Sequence, residues 1–85
     1  MNQDVKRLIT EMKKAKAQHE RYCLVFARVI DHVPSDDKPI LFQKFVPEFL
    51  QEADNLDWVL QTAYPEVDGF AEALTGRTVF VFRRA

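Results

Sequence analysis

Side chains suited to a buried stripe recur every three or four positions through the first third of the chain, at Val5, Leu8, Met12, Ala15, His19, Tyr22, Phe26, Val29 and Val33. That spacing predicts one helix with a continuous seam. It starts near Asp4, a cap or first-turn acid, and ends by Val33, because Pro34 turns the preceding residue away from helical angles. A helix of about 30 residues would run about 45 Å, longer than the rest of an 85-residue chain can cover. The seam at Val5, Leu8, Met12, His19, Tyr22, Phe26 and Val29 is therefore expected to meet a second copy or another protein. Ile9, Cys23 and Ile30 widen the apolar face toward that of a bundle helix. Tyr22–Ile30 is also rich in strand formers, which allows a short helix followed by a strand. Against that, Lys16-Ala17-Gln18-His19-Glu20 contains no breaker and favours continuation of the helix.

A second helical spacing follows. Ser35-Asp36-Asp37 offers cap chemistry, and Pro39 suits a first turn. Phe42, Phe45, Val46, Phe49, Ala53, Leu56, Leu60 and Ala63 then recur up to Tyr64, where Pro65 stops the pattern. Pro47 lies inside this run, where it removes a donor and crowds the carbonyl of Gln43, so a kink is expected there. Asp68 through Leu74 reads as a short third helix, with Gly76 as a left-handed cap. Thr78-Val79-Phe80-Val81-Phe82-Arg83-Arg84 has the composition of a strand. Its partner is a symmetry mate, a sheet edge in another protein, or residues 22–30.

The expected fold is mainly α: a long N-terminal helix packed antiparallel on a second helix kinked near Pro47, a short third helix and a C-terminal strand, in one small domain over 1–85. The alternative is α+β, with residues 22–30 and 78–84 as a two-stranded sheet.

Composition narrows the class. With 47% apolar and 29% charged residues, two glycines and four prolines, the chain can fold and is not low-complexity. A domain this small gains from oligomerisation. No leader-like start and no long uncharged apolar stretch is present, and the single cysteine, Cys23, forms no internal disulfide. A cytoplasmic protein that does not enter membranes is the expectation.

The net charge of −1 is unevenly spread: +3 over residues 1–33, −7 over 34–76 and +3 over 77–85. Pairing of a basic first helix with an acidic second one explains this internally. Two other uses follow from the same distribution. Lys6, Arg7, Lys13, Lys14, Lys16, Arg83 and Arg84 could meet nucleic-acid phosphates, or the acidic middle could imitate nucleic acid toward a basic protein.

Candidate chemistry is thin. His19 and Cys23, four apart, would share one helical face and could begin a metal site or a thiolate–imidazole pair, but only His32 and carboxylates remain to complete it. Packing beside the seam explains them more simply, and no cofactor is expected. Glu48, Glu52, Asp54 and Asp57 lie near the polar side of the second helix and suit a solvated or partner-facing surface better than an acid/base pair. Trp58 would point away from the Phe49, Leu56 and Leu60 stripe. Either Phe70 or the C-terminal strand folds back over it, or it forms an interface hot spot with Tyr64 and Phe80 beside it, with Phe82 a further partner-facing candidate. The function expected is therefore non-catalytic: a small homodimeric helical adaptor or regulator that binds a partner protein. A nucleic-acid-associated protein, or an acidic mimic of nucleic acid, is the alternative.

Overall fold

The computed structural model describes residues 3–30, 40–70 and 73–85. Its elements run α1 (Gln3–Ala17), β1 (Tyr22–Ile30), β2 (Ile40–Phe42), a 3-10 turn (Gln43–Phe45), α2 (Val46–Asn55), β3 (Trp58–Asp68) and β4 (Ala73–Arg84). The architecture is α+β: two helices on one face of a four-stranded mixed sheet ordered β2-β1-β4-β3. It corrects the expectation of a mainly helical bundle. The alternative named two strands that do pair, Tyr22 with Arg83 through Ala27 with Thr78, but the sheet around them is twice as large.

The first helix stops at Ala17 because the backbone reverses at His19, whose φ is +59°. The Glu20 amide donates to the Ala15 carbonyl and the His19 amide to the Lys16 carbonyl, both at 3.0 Å. These are the paired bonds of a helix C-terminus closed by a left-handed residue, a place usually held by glycine. Histidine is among the few other side chains that enter this region at all. The left-handed conformation strains a residue with a Cβ by about 1–2 kcal/mol, while glycine adds about 0.5–1 kcal/mol of unfolded-state entropy. His19→Gly is therefore expected to raise stability by up to about 1 kcal/mol, read as an increase of a few degrees in Tm. An unchanged or lower Tm would show that the turn is not strained.

The second helix fails as a single run for a similar reason. Residues 31–39, which include the expected end of the first helix, the Ser35-Asp36-Asp37 cap, Pro39 and His32, lie outside the described residues. Phe42 ends β2, and Pro47 sits in the first turn of α2, where its missing N–H costs nothing and no kink results. After Asn55 the chain turns at Asp57, φ +65°, into β3. Asp68 belongs to β3 and Leu74 to β4, so the expected third helix does not run from Asp68 to Leu74, and residues 71–72 of that stretch lie outside the described residues. Gly76 does have a positive φ, +88°, but inside an irregular stretch of β4 and not at a helix end.

One core lies between the helices and the sheet. Val5, Leu8, Ile9 and Met12 of α1 and Phe49 and Ala53 of α2 pack with Cys23, Val25 and Ala27 of β1 and with Phe80 and Phe82 of β4. The stripe Val5, Leu8, Met12 is thus spent inside the chain and is not a seam for another molecule. Phe49 lies edge-on to Phe80 and Phe82, with ring centroids 5.3 and 5.8 Å away. Trp58, at the start of β3, is buried and its indole N–H donates to the Met12 carbonyl at 3.1 Å. Beside it the Arg84 guanidinium lies 5.9 Å from the Trp58 ring and donates to the Lys16 carbonyl at 3.3 Å.

Candidate functional site

Successive residues of a strand point to opposite faces of its sheet, so the other halves of β1 and β4 face away from both helices. Strand pairing aligns them in three rows that cross the sheet: Tyr22, Arg83 and Val59; Leu24, Val81 and Thr62; Phe26, Val79 and Tyr64. Val79, only 1% exposed, is buried on this face, flanked across the strands by Phe26 and Tyr64. Around it Tyr22 is 55%, Leu24 53% and Tyr64 47% exposed, with Val59 also open to solvent. The two central strands therefore carry apolar side chains on both faces, the pattern of strands buried on both sides, while the helices cover only one. Contiguous exposed apolar surface of this kind marks interaction sites in soluble proteins.

The two ends of the face are polar and built differently. At one end, Arg77 donates from Nε and Nη2 to Glu66 Oε1 at 2.9 and 2.6 Å, and the Thr75 hydroxyl donates to the same oxygen at 2.8 Å. The Thr75 hydroxyl and Arg77 hold the Glu66 carboxyl below the usual carboxylate range. The Arg77 guanidinium lies 5.4 Å from the Phe26 ring centre. Arg28 Nη2 donates to the Thr75 carbonyl at 3.2 Å, and it passes so near Gly76 that a Cβ there would lie 2.8 Å from it. The positive φ of +88° is what favours glycine at this position, since the Arg28 tip can shift to make room. At the other end, His19, Arg21, Tyr22, Arg83, Arg84 and Ala85 line an open, polar cleft.

The residues singled out from the sequence divide among three places. Of the expected seam, Val5, Leu8 and Met12 are in the core, Val29 packs against it, His19 is exposed in a turn, and Tyr22 and Phe26 are on the open sheet face. Of the expected partner surface, Trp58, Phe80 and Phe82 are core residues and unavailable to a partner, while Tyr64 is on the open face. Glu48, Glu52 and Asp54 stand on α2, and Asp57 in the following turn pairs with Lys16 at 3.2 Å. The cationic set does not form one patch. Lys6, Arg7, Lys13 and Lys14 are exposed on α1, in the helical layer, with Arg7 3.9 Å from Asp4 and Lys14 3.7 Å from Glu11. Arg83 is on the opposite, open face, and Arg84 is engaged with Lys16 and Trp58. Leu24, Val59 and Val81 are the open-face residues that helical spacing missed. For Leu24 and Val81 the signal was the unbroken apolar runs at 22–27 and 79–82, while Val59 lay within the helical pattern that ran on past Leu56.

His19 and Cys23 are not on one helical face, because no helix joins them. Cys23 points into the core, and among the described residues no three His, Cys, Asp or Glu side chains gather as metal ligands. Burial, then the carboxylates of Glu11 and Glu20, push the Cys23 thiol above its ordinary value of 9.0. The unfolded chain therefore loses this proton first as pH rises, and folding loses stability through and above that pH. Cys23→Ala is expected to flatten part of the alkaline fall in Tm. A fall identical to wild type would show that the thiol does not contribute to it.

No protein family, curated protein or solved structure matches the chain. No helix among the described residues is long and apolar enough to cross a membrane.

Proposed function

We propose that this chain is a non-catalytic protein-interaction module, an adaptor or regulator whose binding surface is the open face of its sheet. The observation that carries the proposal is the two-sided apolar character of β1 and β4, with Val79 already buried and Tyr22, Leu24, Val59 and Tyr64 exposed around it. Covering these side chains removes apolar area from water at about 25 cal/mol per Å². Tyrosines at the margin supply large contacts with little entropy loss. Arg83 at one end and the Glu66–Arg77 pair at the other set orientation more than affinity.

A second reading rests on the cleft of His19, Arg21, Tyr22, Arg83 and Arg84. Exposed arginines beside a tyrosine can hold a phosphate backbone with a stacked base. The net charge of −1 and the aliphatic centre of the face favour a protein.

The test compares cross-linked capture by wild type, Leu24→Glu, Tyr64→Glu and the helix-layer variant Lys13→Glu, each with its melting curve. A bound protein held by wild type and Lys13→Glu but lost at least tenfold with either open-face variant is the expected result. Binding unaffected by Leu24→Glu and Tyr64→Glu would overturn the proposal. So would capture of nucleic acid alone, lost steeply with salt.

A further inference from the structure

The sheet has a second unused surface. β3 is bonded to β4 along one side, and among the described residues no strand pairs with its other side. Edge strands of monomers are commonly protected by charged side chains, above all lysine, by proline or a β-bulge, or by a covering segment. From Trp58 to Pro65 this edge has no charged residue, and every residue from Val59 to Pro65 is exposed. The nearest charges are already engaged within the chain, Asp57 with Lys16 and Glu66 with Arg77. Only Pro65 and two irregularities interrupt the edge.

We infer that the outer edge of β3 pairs antiparallel with β3 of a second copy across a two-fold axis, which joins two four-stranded sheets into one of eight. This rests on the proposed function only in that it makes the two open faces continuous. An antiparallel strand pair satisfies two-fold symmetry directly, since residue i meets j while j meets i. An uncharged edge also gives a differently charged partner nothing to select.

The register is set by the irregularity at Gln61. Leu60 faces Phe82 and Thr62 faces Val81, so one residue of β3 is extra. As a result Val59 and Tyr64, five apart, both lie on the open face, opposite Arg83 and Val79, while Leu60 and Ala63 both lie on the helical face, opposite Phe82 and Phe80. In a regular strand residues an odd number apart fall on opposite faces. A two-fold axis between Gln61 and Thr62 then sets Val59 opposite Tyr64 and Leu60 opposite Ala63 of the other copy, each pair sharing a face. A slip of one residue would oppose side chains from different faces. Val59 against Tyr64 is a β-branched–aromatic pair, a favourable cross-strand combination.

The experiment measures solution mass across about two orders of magnitude in concentration for wild type, Gln61→Lys and Leu24→Glu. It is combined with oxidative cross-linking of Leu60→Cys/Ala63→Cys and of Leu60→Cys alone, both in a Cys23→Ala background. The inference expects a dimer in wild type and in Leu24→Glu, weakened at least about tenfold by Gln61→Lys, which brings two lysines together near the axis. It expects a covalent dimer from the double-cysteine variant and little from Leu60→Cys alone. A wild type that is monomeric throughout, with no cross-link, overturns it. A dimer abolished by Leu24→Glu and indifferent to Gln61→Lys also overturns it, because the second copy would then occupy the open face. Failure here leaves the proposed function to its own capture assay, in which Gln61→Lys retains binding.

Discussion

Truncating Phe49 to alanine is expected to remove about 3–5 kcal/mol of stability, the range for deleting a fully buried aromatic side chain. Phe49 has no exposed surface and joins α2 to β4, seated edge-on against both Phe80 and Phe82. Three rings share these contacts, and edge-to-face pairs add about 0.5–1.5 kcal/mol beyond area burial. A domain of this size commonly has about 5–10 kcal/mol in total, so Phe49→Ala should be largely unfolded near physiological temperature. Urea titration followed by Trp58 fluorescence measures the change. Phe49→Leu, which keeps most of the volume, should lose less than half as much. Equal losses would mean that ring geometry, and not filled volume, sets the energy.

Trp58→Ala should be comparably damaging, about 3–5 kcal/mol, and for a reason that can be divided. The indole fills the corner where α1 ends, the Met12 carbonyl accepts its N–H, and the Arg84 guanidinium lies beside the ring. Trp58→Phe retains much of the packing and removes the donor, so it should cost about 1–2 kcal/mol, near the value of one buried hydrogen bond with some lost contact. Calorimetric melting of the two variants separates the contributions. If Trp58→Phe is as unstable as Trp58→Ala, the polar contact carries the corner. If it matches wild type, the hydrogen bond contributes nothing.

The sequence was legible where one signal stood alone. The Val5, Leu8, Met12 stripe is helical and amphipathic, and Thr78–Phe82 is a strand, as its β-branched and aromatic composition predicts. It misled where two periods coincided. Tyr22, Phe26 and Val29 fit helical spacing, but Tyr22, Leu24 and Phe26 with Cys23, Val25 and Ala27 fill both faces of a strand, and a continuous apolar run cannot separate the two. The deciding information was at His19 and Asp57, left-handed residues that end both helices without the glycine that would have marked them. Phe49, Ala53, Leu56 and Leu60 show the same overrun, because the pattern continues smoothly past the reversal. The open face was hidden as a consequence: Tyr22 and Phe26 were read as a surface meant for another molecule, but on a helix, and their neighbours Leu24, Val59 and Val81 only become a patch once the strands are aligned.

The placement of β4 has a consequence for how the protein comes into being. The strand that joins β1 to β3 is the last of the four to leave the ribosome, and its Arg84 amide closes on the Arg21 carbonyl across most of the chain's length. Until residues 73–84 emerge, α1 and α2 have half a floor beneath them, and β1 and β3 have no common neighbour. Completion of the sheet therefore waits for residues 73–84 and proceeds through long-range pairing, which is slow compared with helix docking. During that interval the apolar run at 22–27 and the residues of β3 lack their β4 partner, which leaves the emerging chain open to association with other chains.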